Sequence, residues 1–244
     1  MRAARRPLAL LVALAALATA PAAASALTVY GASSLKGVIP ALAPANAYSW
    51  GGSDTLMLQI EQGAPADVFL SAAPIYATRL HDAGRCSAPI EFARNALAFV
   101  VPAANPGRIA NVRDLAAHGG YRLAIGRRTV PIGIHARTAL GKMGMPRVLL
   151  RNTVSSYAKA SDIVTALTLG NVDGGFVYAT DYYAHADALR RLPIPRAAQP
   201  LIRYVACAVR PSAAASALIR RLQRPDARAA LVAARFTLPP RSQP

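Results

Sequence analysis

The chain has 244 residues, 54% of them hydrophobic and 16% charged, and its 28 Lys and Arg against 11 Asp and Glu give a formal charge of +17. The length suits one globular unit or two small lobes, and the charge favours encounters with anions, acidic polymers or membrane surfaces. Only Lys36, Lys142 and Lys159 are lysines, and the arginines are scattered among alanines with no basic run interleaved with aromatics, so a nucleic-acid partner is not expected.

The chain opens with "MRAARRPLALLVALAALATAPAAASA": Arg2, Arg5 and Arg6, an apolar run broken at Pro21, then Ala24-Ser25-Ala26. This is the pattern of a secretory signal peptide over residues 1–26, cut after Ala26. The run falls short of the ~20 apolar residues of a membrane span, and no later run is long enough to cross a bilayer. Export places the protein in a compartment where a disulfide can persist. Cys86 and Cys207 then form either a single bridge or two separate buried thiols. Neither sits in a Cys-x-x-Cys or Cys/His spacing, so no metal or redox site is expected of them.

From Leu27 the elements alternate. "LTVYGASSLKGVIPAL" is a strand, a Gly-Ala-Ser-Ser turn and a helix from about Leu35; "NAYSW" is a strand; "GGSDT" leads into a helix from about Thr55 to Gln62, ended by Gly63 and Pro65. "ADVFLSA" is a continuous apolar strand of the parallel-sheet kind, "YATRLHDAG" a helix, and "ARNALAFVVPAANP" a strand ended at Pro102. The texture then repeats: "VRDLAAHG" helix, "YRLAIG" strand, "RTVPIGIHARTALGKMG" turn and helix, "SSYAKASDIVTALTLGN" turn and helix, "DGGFVYATDYYA" strand into helix. "PLIRYVACAVR" returns as a long strand, and the rest of the chain is helical. Strand-helix alternation in two similar halves predicts two α/β lobes facing a cleft. Lobe 1 is expected over residues 27–101 and 205–244, and lobe 2 over 102–204.

Ligands of open α/β sheets bind beyond the carboxyl ends of strands, where helices begin. The turns at those places carry small polar residues: Ser33-Ser34, Ser53-Asp54, Thr129 to Gly133, Ser161-Asp162, and Tyr178 at a strand end. Helix N-termini offer free N–H groups and a favourable dipole to an anion, and Ser and Tyr add hydroxyl donors. Taken singly, each of these residues also fits an ordinary cap or strand end. Catalysis is not expected: "GASSL" lacks the second glycine of a nucleophile elbow. His81, His118, His135 and His185 show no metal-ligand spacing, and His135 reads as a core or surface residue.

The stretches "TVYGASSL", "SDTLMLQIEQGAPADVFLSA", "ARNALAFVVP", "TVPIGIHARTAL" and "GGFVYATD", in this order, resemble the periplasmic molybdate-binding proteins of ABC transporters, which are type II periplasmic solute-binding proteins. The resemblance implies an α/β, two-lobed periplasmic-binding-protein-like fold with a mixed, mostly parallel sheet in each lobe. It implies capture of a tetrahedral oxyanion, molybdate or tungstate, by a monomer that has no cofactor and serves an inner-membrane permease. Sulfate, phosphate or another small anion is the alternative ligand, and an enzyme or ligand-sensing module of the same fold the alternative class. Matched by motif, the ligand contacts would be Ser34, Ser53, Ile132 and Ile163 through their backbone N–H groups, and Tyr178. There is no catalytic residue and no direct metal ligand in that set. Asp54 departs from the family's usual hydroxyl; it is expected to cap its own helix or to accept a proton from a protonated ligand. Ile132 replaces a usual alanine, and the segment before "NAYSW" is short for the family.

Overall fold

The computed structural model describes residues 26–240, so the signal peptide expected over residues 1–26 lies outside the described residues except for Ala26. The chain begins with β1 (Thr28–Ala32), a 3-10 turn at Ser33–Leu35, α1 (Ile39–Leu42), β2 (Ala47–Gly51), α2 (Ser53–Glu61), β3 (Val68–Ser71), α3 (Pro74–Asp82) and β4 (Ile90–Asn95). It continues through β5 (Leu97–Pro102), α4 (Asp114–Ala117), β6 (Arg122–Gly126), α5 (Pro131–Lys142), β7 (Thr153–Tyr157), α6 (Ala160–Thr168), β8 (Gly174–Tyr178), α7 (Ala179–Ala184) and β9 (Leu189–Leu192). It returns in β10 (Ile202–Ala208) and ends with α8 (Ala213–Arg221) and α9 (Pro225–Ala233). Among the described residues no helix is long and apolar enough to cross a membrane.

The strands make two five-stranded sheets, ordered β2-β1-β3-β10-β4 and β7-β6-β8-β5-β9. In each, the first three strands run parallel and the next two join antiparallel. The central strands β3, β5 and β8 are buried along their whole length, which is why each reads as an unbroken apolar run. β7 ("TVSSY") and β9 ("LRRL") are polar edge strands, and sequence reading gave them no strand.

The lobes exchange strands at places other than those expected at 101/102 and 204/205. "ARNALAFVVP" is two strands, β4 in the first sheet and β5 in the second, with Ala96 between them. Side chains cause the break by taking over ladder groups: Asn95 Oδ1 accepts from Ala96 N–H (2.9 Å), while Gln199 accepts from Leu97 N–H (3.0 Å) and donates to Leu97 O (2.9 Å). The return crossing follows Gln199, so Ile202–Tyr204 already belongs to the first sheet.

One apolar core runs through both lobes, from Val29 and Leu70 to Phe99, Ile125 and Phe176. A second cluster lies between the first sheet and α2 and α3, built from Leu56, Met57, Ile60, Ala77 and Leu80 at helical spacing. Cys86 and Cys207 are buried in this cluster as free thiols, and Cys86 Sγ donates to Ala77 O (3.5 Å). The neighbouring thiol lowers Cys86 and, together with burial, raises Cys207.

Candidate functional site

The parallel strands of both sheets point their carboxyl ends at one interlobe space. Ala32, Ser33 and Ser34 after β1, Gly51 to Ser53 after β2 and Ala72 after β3 line it from the first lobe. Val130, Pro131 and Ile132 at the start of α5, Lys159 and Ala160 at the start of α6, and Tyr178 at the end of β8 line it from the second. The cavity there measures about 10 Å³, against about 700 Å³ for a groove that shares Ser33 and Ser34 and reaches Arg235 and Phe236. It is smaller than the several hundred Å³ of organic-ligand pockets.

Ser34 and Ser53 from the first lobe and Ile132 and Tyr178 from the second therefore line the same space. Ile163 does not line the space; it is the fourth residue of α6 and fully buried, while Lys159 and Ala160 at the head of that helix line it instead. Ser33 and Val130, in turns the sequence already singled out, also line it, whereas sequence reading missed Ala72 and Lys159 as wall residues. Lys159 was findable two residues before the Ser161-Asp162 helix start. Its ammonium group lies 3.6 Å from Asp162 in a half-exposed ion pair.

Ser53 opens α2, and the Gly52 before it caps the helix with backbone alone. Its side chain is 1% exposed, and its Oγ accepts from Ala72 N–H (3.0 Å), which leaves the hydroxyl proton to donate elsewhere. Leu56 N–H makes the first bond back to Gly52 O, so the N–H groups of the preceding turn are not consumed by the helix. α5 repeats the arrangement. Pro131 occupies its first position, Ile134 N–H bonds to Val130 O (3.0 Å), and the Ile132 N–H lies in the free first turn. That turn sits hard against β6: a Cβ on Gly133 would come within 2.0 Å of Arg127 O and 2.3 Å of Gly126 O.

Tyr178 is 2% exposed, and its hydroxyl has no acceptable hydrogen-bond partner. Burial raises its pKa well above the ordinary value, with the neighbouring Tyr204 and Asp181 adding to the effect. Its backbone N–H donates to Asp181 Oδ2 (3.1 Å). His135 packs edge-on to the Tyr178 ring and is buried enough to be held neutral, its pKa lowered to about 4. It is a core histidine whose Nε2 lies 3.5 Å from Ala72 O across the cleft.

Asp54 does not cap α2. It turns out of the space toward the other lobe, where its Oδ2 accepts from Thr129 Oγ1 (2.7 Å). Tyr76 on α3 donates its hydroxyl to the carbonyl of the same Thr129. The tyrosine's pKa is raised to about 12, by burial first and then by the Asp54 charge.

Two lobes joined by crossing strands, with helix N-termini and hydroxyls converging on a small closed space, define a solute-binding protein fold. The profile of the bacterial extracellular solute-binding proteins matches residues 27–237, and the chain belongs to that family. It is 30% identical over 152 residues to the molybdate-binding protein ModA of Mycobacterium tuberculosis, a match covering 62% of this chain and 56% of that one. The chain thus spans little more than half the length of this curated relative. Among solved structures, the periplasmic molybdate-binding protein of Azotobacter vinelandii superposes with a TM-score of 0.77 at 24% identity, over 88% of this chain and 100% of that one. The sulfate-binding protein SubI of Mycobacterium tuberculosis does so at 0.74 and 18% identity, over 87% and 86%. At these identities the superpositions speak for the fold. Among the described residues no group of His, Cys, Asp and Glu could hold a metal ion.

Proposed function

We propose that the protein is an exported, periplasmic binding protein that captures a tetrahedral dianion, molybdate or tungstate, and delivers it to an inner-membrane ABC permease. In this reading it works as a monomer, without a resident cofactor, without nucleic acid and without covalent chemistry. The observation that carries it is the Tyr178 hydroxyl, buried without a partner in the wall of a small space shared with Ser34, Ser53 and the head of α5. An unpaired buried hydroxyl costs free energy unless something bonds to it, and an anion taken out of water needs several donors at once. The wall offers hydroxyls and first-turn N–H groups, a chemistry suited to a fully deprotonated oxyanion. Closure follows as a population shift, because only the closed form brings donors from both lobes to one ligand.

The test is a thermal-shift panel of molybdate, tungstate, sulfate and phosphate, followed by calorimetry on the best binder. At a hundredfold excess over its dissociation constant the true ligand adds ~2.7 kcal/mol, or several degrees for a chain of this size. A stronger response to sulfate or phosphate would reassign the ligand, and no response to any of the four would end the reading.

A further inference from the structure

Thr129 lies outside the anion space, on the exposed loop before α5, yet it ties the second lobe to two separate elements of the first. Its hydroxyl donates to Asp54 on α2, and its carbonyl accepts from Tyr76 on α3. Val130 and Pro131 follow directly, and Ile132 comes next, so the position of Thr129 fixes where the free N–H groups of α5 point. We propose that Thr129 is a positioning residue: with Asp54 and Tyr76 it clasps the closed cleft, aims the head of α5 at the bound anion and sets the rate at which the anion leaves.

The clasp rests on the oxyanion reading for its ligand, but its geometry does not depend on one. Both bonds cross between lobes and exist only when the cleft is shut, so they stabilise the closed form over the open one. An encounter with the open form does not use them; release has to break them. Their effect therefore falls on dissociation. Asp54 also gains a place away from the cleft. A carboxylate turned toward a dianion would repel it, and the Thr129 hydroxyl instead holds that charge on the outer side of the seam.

The test uses the full exported chain, with molybdate as probe in stopped-flow binding. Thr129→Val should raise the dissociation rate by about two- to tenfold, as expected for losing an exposed hydrogen bond, with the association rate nearly unchanged. Thr129→Ser should restore the parent rate, and Asp54→Ala combined with Thr129→Val should add little to either change alone. An unchanged dissociation rate in Thr129→Val, or a Ser variant that behaves like Val, overturns the clasp. Small-angle scattering without any anion supplies the independent arm. The Thr129→Val protein should show a smaller compact fraction than the parent, and equal compact fractions overturn the clasp even if the ligand proves not to be molybdate. Thr129 is exposed and outside the core, so its variants should fold, and a matching Tm verifies that they have.

Discussion

The Ser34 and Tyr204 side-chain oxygens lie 2.8 Å apart, and through them the interlobe space is wired to the hinge. Tyr204 sits fully buried on the return strand β10, and Asn95 ends the outgoing strand β4. Asn95 Nδ2 donates to Tyr204 OH (3.3 Å) and to Thr180 Oγ1 (3.0 Å), so one amide holds both crossings and the base of α7. The tyrosine oxygen accepts from Asn95, and between Tyr204 and Ser34 either hydroxyl can be the donor. Tyr204→Phe would strand Ser34 and Asn95. Removing one member of a buried pair costs about 1–3 kcal/mol, so urea unfolding should show a loss of that size, and calorimetry a weaker anion affinity. A variant as stable as the parent would mean that the network contributes nothing to hold the hinge.

Tyr178 should behave in the opposite way. Its hydroxyl has no partner to lose, so Tyr178→Phe should leave the stability of the ligand-free protein unchanged or slightly raised. Anion affinity should nevertheless fall by about tenfold or more, the scale of a hydrogen bond to a charged group. Loss of affinity without loss of Tm separates a ligand contact from a structural hydroxyl. A stability loss equal to that of Tyr204→Phe would place Tyr178 in the hinge network instead.

Gly52 meets the other lobe directly. A Cβ added there would lie 2.4 Å from Ala158 O and 2.8 Å from Asp54 Oδ1, and Ala158 belongs to the loop between β7 and α6. The clash crosses the cleft, so Gly52→Ala should fold as two intact lobes that cannot shut fully. The expected outcome is an unchanged circular-dichroism spectrum and melting transition without ligand, a larger scattering radius, and anion affinity reduced by at least tenfold. Normal affinity would show that the seam yields there.

Much of this was legible in the sequence because two periodicities carry it. The central strands read as apolar runs, and the helices between them carry apolar residues three and four apart, so the two-lobed α/β plan and the strand-end turns could be placed before any coordinates. The crossings could not. "ARNALAFVVP" is apolar from Ala96 onward, and the break there comes from Asn95 and from Gln199, a side chain about a hundred residues away, intercepting the backbone of Ala96 and Leu97. Asp54 was misread for a related reason. An acid at the second position of a helix is what a cap or dipole argument expects, while its actual partner, Thr129, lies 75 residues further on and in the other lobe. The edge strands β7 and β9 failed to show because nothing about a short "TVSSY" or "LRRL" distinguishes strand from loop until a neighbour pairs with it.

Acid titration should expose two buried groups that pull against each other. In the folded protein His135 stays neutral down to about 4 because burial disfavours its charged form, whereas in the unfolded chain it takes a proton near pH 6.5. Between those values the unfolded state binds the extra proton, so stability falls as pH drops from about 6.5 to about 4, by up to ~3 kcal/mol, and then levels off. Asp181 has the reverse sign. Burial raises its carboxyl to about 6, the folded state takes that proton first, and stability rises as pH falls from about 6 toward the ordinary carboxylate range. The parent protein should therefore show a shallow profile over this window. His135→Gln should leave a protein that becomes more stable on mild acidification, and Asp181→Asn one that loses stability steeply from about pH 6.5 downward. Urea unfolding at intervals between pH 4 and 7 reads all three curves. Parallel curves would mean that neither group differs in proton affinity between the folded and unfolded states, and that the seam between His135 and Ala72 is wetter than its 3.5 Å contact implies.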